Sequence, residues 1–239
     1  MKNSGTEIRA ILFDKDGTLI DFQKSWGSIL RDAALLGAHS DIALARRLMV
    51  AGGMDPDTLM TAPDTVFAAG STTEIAEAFL REGADWPIDD LIGRLDALFV
   101  ASAEHGVPVT PLRPLFERLR KAGYALGIAS SDSAAAIRRL AEIENIADLV
   151  DFIAGYDSGF GSKPEPGMAL AFVNSVGVPA PSIAVVGDNL HDMRMGQAAG
   201  LGLRIAVLTG TGTRDRLRPE SDAVLESIAG LPAYLSQGA

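Results

Sequence analysis

Residues 11–19 read ILFDKDGTL: an apolar run that ends on two aspartates with a lysine between them and then turns at a glycine. In open parallel sheets ligands bind beyond the carboxyl ends of the strands, so a strand ending at Phe13 delivers Asp14 to such an edge. Side chains alternate along a strand, which puts Asp14 and Asp16 on one side. The same alternation predicts that Lys15 points off the carboxylate face, toward a hinge surface or a nearby acid. Gly17 lets the backbone turn close to a ligand. Taken alone, the stretch fits a DG turn with solvated acids equally well.

Working outward, short aliphatic runs recur at 10–13, 124–129, 150–154, 183–187 and 205–208, each followed by a longer helical pattern. Fully apolar strands separated by amphipathic helices imply a parallel sheet covered on both faces, an α/β doubly wound, Rossmann-like architecture. Helices are predicted at 112–122, 133–145, 167–176 and 190–199, bounded by polar caps and by Gly123, Gly177 and Gly200. Between residues 21 and 108 the spacing is helical throughout (25–36, 41–50, 72–81 and 89–103), with no strand pattern. A crossover between neighbouring strands usually needs one helix. This division predicts a core of residues 1–20 and 109–239 interrupted by a small helical cap of residues 21–108.

The chain of 239 residues is 47% hydrophobic and 22% charged, the balance of a compact folded protein. It contains no cysteine, which excludes disulfides, thiolate metal sites and cysteine nucleophiles. A net charge of -10 argues against nucleic acid as a partner, because phosphate-tracking surfaces need clustered Lys and Arg. The opening MKNSGTEIRAILF has neither the apolar length of a membrane span nor the form of a secretory signal, so a cytoplasmic protein without a membrane partner is expected.

Chemistry-bearing residues collect at three further strand ends. GIASSD places Ser130 where a hydroxyl can meet an anion beside backbone N–H groups, although Ser131, Asp132 or Ser133 equally suits a helix cap. GSKPEPGM holds Lys163 in a Gly/Pro-rich loop. VVGDNLHDM puts Asp188 directly after a strand and Asp192 four residues on, near the positive end of the next helix, while His191 reads as a solvated histidine. Two like charges about 5 Å apart cost about 3 kcal/mol at an effective dielectric near 20, so carboxylates converging on one sheet edge call for a cation. Oxygen donors without His or Cys favour a hard metal, and Mg²⁺ takes few carboxylates while keeping substrate oxygens and water.

In order and spacing, DKDGT, ASSD, GSKPEPG and GDNLHD resemble the motifs of the haloacid dehalogenase superfamily on its phosphatase branch, and the tail AAGLGLRIAVLTGTGTRDRL resembles phosphoglycolate phosphatase-like members. The helical insertion is similar to the family's small cap. The resemblance implies a phosphate monoesterase acting on a small phosphorylated metabolite, phosphoglycolate among the candidates. Asp14 would be the nucleophile and Asp16 the acid and base. Mg²⁺ would be held by the Asp14 carboxylate, the Asp16 main-chain carbonyl and Asp188. Ser130 and Lys163 would hold phosphoryl oxygens, and Asp192 would orient Lys163 or a metal-bound water. Ser131 and Asn189 depart mildly from the pattern, at positions commonly occupied by asparagine and by serine or threonine.

Asp16 argues against a dehalogenase, which needs no acid there. A sugar phosphomutase on the same core, or a binding protein on a retired catalytic fold, are the alternatives. Gly17 and Ser131 are expected to contact substrate, and substrate choice is expected to fall to the cap, at Lys24, Trp26 and Ser71, of which Trp26 also suits packing and Ser71 helix capping. The chain is expected to act as a monomer or homodimer.

Overall fold

The computed structural model describes residues 7–237. Six parallel strands form one sheet: β1 (Ala10–Phe13), β2 (Ala125–Ala129), β3 (Phe152–Ala154), β4 (Ile183–Gly187), β5 (Leu203–Val207) and β6 (Ala223–Leu225), in the order β3-β2-β1-β4-β5-β6. The chain winds outward from β1 through β2 to β3, then returns to place β4 on the other side of β1. The strand order therefore reverses at the β1/β4 pair, where Phe13 is in register with Val186. Asp14 and Asp188 leave the sheet side by side at this switch point.

The helices are α1 (Phe22–Gly37), α2 (Ile42–Gly52), α3 (Val66–Ala69), α4 (Thr72–Arg81), α5 (Ile88–Ser102), α6 (Leu112–Lys121), α7 (Ala134–Ile143), α8 (Gly167–Val176), α9 (Leu190–Ala198), α10 (Arg214–Leu217) and α11 (Leu231–Gln237). All four residues of β1 are buried, and they serve two cores. Ile11 and Phe13 pack with Leu115, Phe116, Ile137 and Leu231 from α6, α7 and α11. Ala10 and Leu12 pack with Met168, Phe172 and Met195 from α8 and α9. Burial on both faces explains why these strands are apolar runs without alternation.

Helices α1–α5 share a third buried cluster of their own, built around Trp26, Leu30, Leu48, Phe79, Leu91 and Phe99. The two segments that join these helices to the sheet run antiparallel: Ile20 bridges Pro108, and the Asp21 and Val109 N–H groups donate to Val107 O at 2.8 Å and Leu19 O at 3.0 Å. Polar contacts hold this layer over the sheet edge. Tyr156 donates to Asp96 Oδ2 at 2.7 Å, Ser131 donates to the Ala69 carbonyl at 3.0 Å, and Arg216 pairs with Asp64.

The expected strands and longer helices are present with boundaries shifted by up to three residues. The strand expected at 205–208 begins two residues earlier, because Leu203 and Arg204 pair with β4. Strand β6 and the short helices α3, α10 and α11 were not indicated by residue pattern. No described helix is long and apolar enough to cross a membrane.

Candidate active site

Asp14 continues the line of β1, its N–H donating to Val186 O at 2.8 Å. The chain then folds tightly: the Lys15 carbonyl accepts from Leu19 N at 2.9 Å, and Gly17, with φ of 85°, turns the backbone. A Cβ on Gly17 would lie 2.6 Å from Asp188 Cγ. Glycine here is therefore required by the close approach of the turn to Asp188 as well as by the left-handed backbone.

Asp14, Asp16, Asp188 and Asp192 converge at this edge, with Lys163 between two of them. Lys163 Nζ lies 2.6 Å from Asp14 Oδ1 and 2.6 Å from Asp192 Oδ1. Asp192 is fixed twice, because its Oδ2 also accepts from Asn189 N at 3.2 Å, closing the N-terminal cap of α9. Asp188 Oδ2 accepts from Thr211 N at 2.9 Å. Asp14 Oδ2 is buried and has no hydrogen-bond partner among the described residues. Asp16 Oδ2 is 3.5 Å from the Ser130 hydroxyl. Asp14, Asp16, Ser130, Ser131, Lys163, Asp188 and Asp192 all line a single cavity between the sheet edge and the helical layer.

Burial is the main influence on these groups. It pushes the Asp14 carboxyl up to about 7; Lys163 opposes the shift, and the charges of Asp192 and Asp16 add to it. Burial, together with the Asp14 and Asp192 charges, raises Asp188 well above the ordinary carboxylate range. Burial alone would lower the Lys163 ammonium, but Asp14 and Asp192 outweigh it and the net shift is upward.

Such a site stores repulsion that a cation relieves. Asp14, Asp188 and Asp192 offer carboxylate oxygens within 4.8 Å of one another. Asp192 is already engaged by Lys163 and Asn189, so the oxygens left for an ion are those of Asp14 and Asp188. The Asp14 and Asp188 carboxylates, both raised by burial and by the charges of neighbouring acids, and the all-oxygen donor set fit a hard divalent ion.

Lys15 is outside the cavity lining and pairs with nearby acids, as expected, but one of them is Asp16 itself: its Nζ is 2.6 Å from Asp16 Oδ1 and 3.0 Å from Asp132 Oδ2, and 5.3 Å from the centre of the Trp26 ring. Regular alternation stops where β1 ends at Phe13, and the turn at Gly17 brings Asp16 back over the lysine. Two expectations are corrected. Lys24 does not line the cavity; its side chain is 69% exposed and pairs with Asp21 at 2.7 Å. Ser71 is a helix cap, its hydroxyl and N–H engaged with Glu74, and it too is absent from the lining.

Trp26 is a site residue, its indole N–H donating to Asp16 Oδ1 at 2.7 Å. Sequence reasoning missed Asp132, the second partner of Lys15, and Thr211, whose N–H fixes Asp188. It also misjudged His191, which lines the cavity with Nδ1 buried and unpartnered among the described residues. A histidine in the first turn of a helix that follows a strand-end aspartate was the available signal.

With a doubly wound sheet, acids from β1 and β4 at its switch point and a buried lysine between two of them, the structure defines a hydrolase-type site. The haloacid dehalogenase-like hydrolase model matches residues 8–200, and the chain belongs to that family. A probable phosphatase, IndB of Dickeya dadantii, is 33% identical over 107 residues, which span 45% of this chain and 46% of that protein. Phosphoglycolate phosphatase of Escherichia coli K12 is 25% identical over 209 residues, covering 83% of this chain and 81% of that one. In fold, the chain is similar to CbbY from Rhodobacter sphaeroides, solved with phosphate, at a TM-score of 0.70 and 23% identity, with 94% of this chain and 96% of that one covered.

Proposed function

We propose that this protein is a Mg²⁺-dependent phosphatase that hydrolyses a small-molecule phosphate monoester through an aspartyl-phosphate on Asp14. The observation that carries the reading is the state of Asp14: Oδ1 is anchored by Lys163, while Oδ2 is buried at the cavity without a partner. One oxygen is thereby oriented and the other left open for attack. The relatives described as phosphatases support the reaction class, and their names make phosphoglycolate one substrate to test.

In the first step Asp14 Oδ2 attacks phosphorus, the bond from phosphorus to the alcohol oxygen breaks, and Asp16 gives that oxygen a proton. In the second, Asp16 takes a proton from water as it attacks phosphorus, and the bond to Asp14 breaks. Asp16 is held for both tasks through Oδ1, by Lys15 and Trp26, which leaves Oδ2 facing the cavity beside Ser130. Ser130 and Lys163 hold phosphoryl oxygens, and Lys163 also screens the repulsion between Asp14 and the dianionic ester. Asp192 fixes Lys163. Mg²⁺ held by Asp14, the Asp16 main-chain carbonyl and Asp188 would neutralise the acids and polarise the phosphoryl group. The layer of α1–α5 acts as the cap that excludes water over residues from the core.

The test is Mg²⁺-dependent release of phosphate from a panel of phosphate esters by the wild type and by Asp14→Asn. Release by the wild type that disappears with Asp14→Asn or with chelator supports the reading. Equal inactivity of both over the whole panel sinks it and favours a retired binding fold. Transfer of phosphate between sugar positions without net release would make the protein a phosphomutase instead.

A further inference from the structure

The two walls of the cavity differ in chemistry. The sheet edge supplies all its formally charged groups. The opposite wall, contributed by the helical layer, is built from Phe22, Trp26, Leu30, Phe67, Ile75 and Phe99, together with the small residues Ala68, Ala69 and Gly70 and the hydroxyl residue Thr72. The basic side chains in the lining are Lys163 and His191, both on the core side. Lys163 is bracketed by Asp14 and Asp192, so its charge is committed to the phosphoryl end. Lys15 is committed to Asp16 and Asp132, and Lys24 and Arg216 are paired with Asp21 and Asp64.

A leaving group lying against the helical wall that carried its own anion would meet aromatic rings with no cation on that wall, His191 standing on the opposite, core side, and a buried charge without a partner is strongly disfavoured. The backbone offers one alternative, the N-terminus of α4 on that wall, but Glu74 already occupies it: Glu74 Oε2 accepts from Ser71 N at 2.7 Å and brings a negative charge there. The cavity measures about 60 Å³, space for about four to six waters, which suits a phosphoryl group with a compact appendage.

Resting on the phosphatase reading, we infer that the substrate bears a single phosphoryl group on a compact, uncharged and predominantly apolar alcohol, and that esters carrying a carboxylate or second phosphate are rejected by the helical wall. Phosphoglycolate, which the relatives' names raise, falls in the rejected class.

Isobutyl phosphate and phosphoglycolate have leaving groups of nearly the same shape and differ in charge, so their kcat/KM ratio reads the wall directly. The inference predicts that isobutyl phosphate is favoured by about a hundredfold or more. A lysine on the wall, Ala68→Lys, or an arginine beside it, Ala69→Arg, should each narrow that ratio by about tenfold or more. Phosphoglycolate turned over as well as or better than isobutyl phosphate would overturn the inference, and the wild-type ratio decides even if both variants fail to fold. A ratio unmoved in well-folded variants also counts against it. Hydrolysis of neither ester, nor of phenyl phosphate, above the Asp14→Asn background would remove the phosphatase reading itself.

Discussion

The indole N–H of Trp26, on the first helix of the inserted layer, donates to Asp16 Oδ1 at 2.7 Å, so the helical layer has a direct hold on an acid of the sheet edge. The ring is buried against Phe22 and Phe99, which fixes where the donor points. A hydrogen bond to a charged group contributes about 1.5–3 kcal/mol. Trp26→Phe keeps an aromatic ring and removes the donor. It should lower kcat by about ten- to a hundredfold while KM moves much less. Steady-state kinetics with a folded variant check this, and an unchanged kcat would leave Trp26 a packing residue only.

Lys15 is the second hold on Asp16. Its ammonium is buried between Asp16 and Asp132, and these charges overcome burial to raise its proton affinity. Breaking a buried pair from one side typically costs about 3–5 kcal/mol, so Lys15→Met should be strongly destabilised in urea melts. Pairing that change with Asp132→Leu should return part of the loss, with a coupling of about 1 kcal/mol or more. Strict additivity would mean that the Lys15–Asp132 contact carries no energy.

The metal-free protein should lose stability as pH rises from mildly acid to neutral. Asp14 has its folded-state value raised from 3.8 to about 7, and Asp188 and Asp132 are raised as well. Between the unfolded and folded values the native state therefore binds more protons, and stability falls with rising pH across that window. Lys15 and Lys163, raised rather than lowered, contribute stability throughout this range and lose it only in strong alkali. In chelator, Tm should be higher at about pH 5.5 than at about pH 7.5, by about 2–4 °C for each kcal/mol. Saturating Mg²⁺ should raise Tm at neutral pH and flatten the slope. A metal-free Tm that climbs with pH would contradict the assignment of strained acids.

Gly210 and Asp188 are packed so closely that a Cβ on the glycine would overlap Asp188 Oδ2. Gly210→Ala must displace that carboxylate. The expected result is a rise of about tenfold or more in the Mg²⁺ concentration needed for half-maximal activity, with far-UV CD unchanged. Magnesium titrations of the two proteins give the answer, and coincident curves would remove Asp188 from the metal set.

Most of the sheet could be read from the sequence because burial on both faces leaves strands such as Ala10–Phe13 with no polar residue to blur them. Strand β6, only Ala223–Leu225 and half-buried at the sheet edge, has too little pattern to show. Asp14, Asp188 and Lys163 were legible because each stands at a strand end or in a rigid loop beside one. The partners of Lys15 were not, since they depend on a turn where alternation no longer applies, and Asp132 is its neighbour only in space. Lys24 and Ser71 looked like substrate contacts because proximity to a hinge or a loop does not reveal a side chain's direction. Asp21 and Glu74 decide that locally, by an ion pair and a cap.

The central claim is that Asp14 carries the phosphoryl group. It is tested most directly by acid quench of the enzyme during turnover with Mg²⁺ and a hydrolysed ester, followed by peptide mass spectrometry. One phosphoryl group is expected on the peptide containing Asp14, labile to hydroxylamine, absent from Asp14→Asn, and accumulating in Asp16→Asn when the ester is an aryl phosphate whose leaving group departs without a proton from Asp16, because only the second step then lacks its catalyst. Steady hydrolysis with no phosphoryl group at Asp14, undiminished in Asp14→Asn, would contradict it.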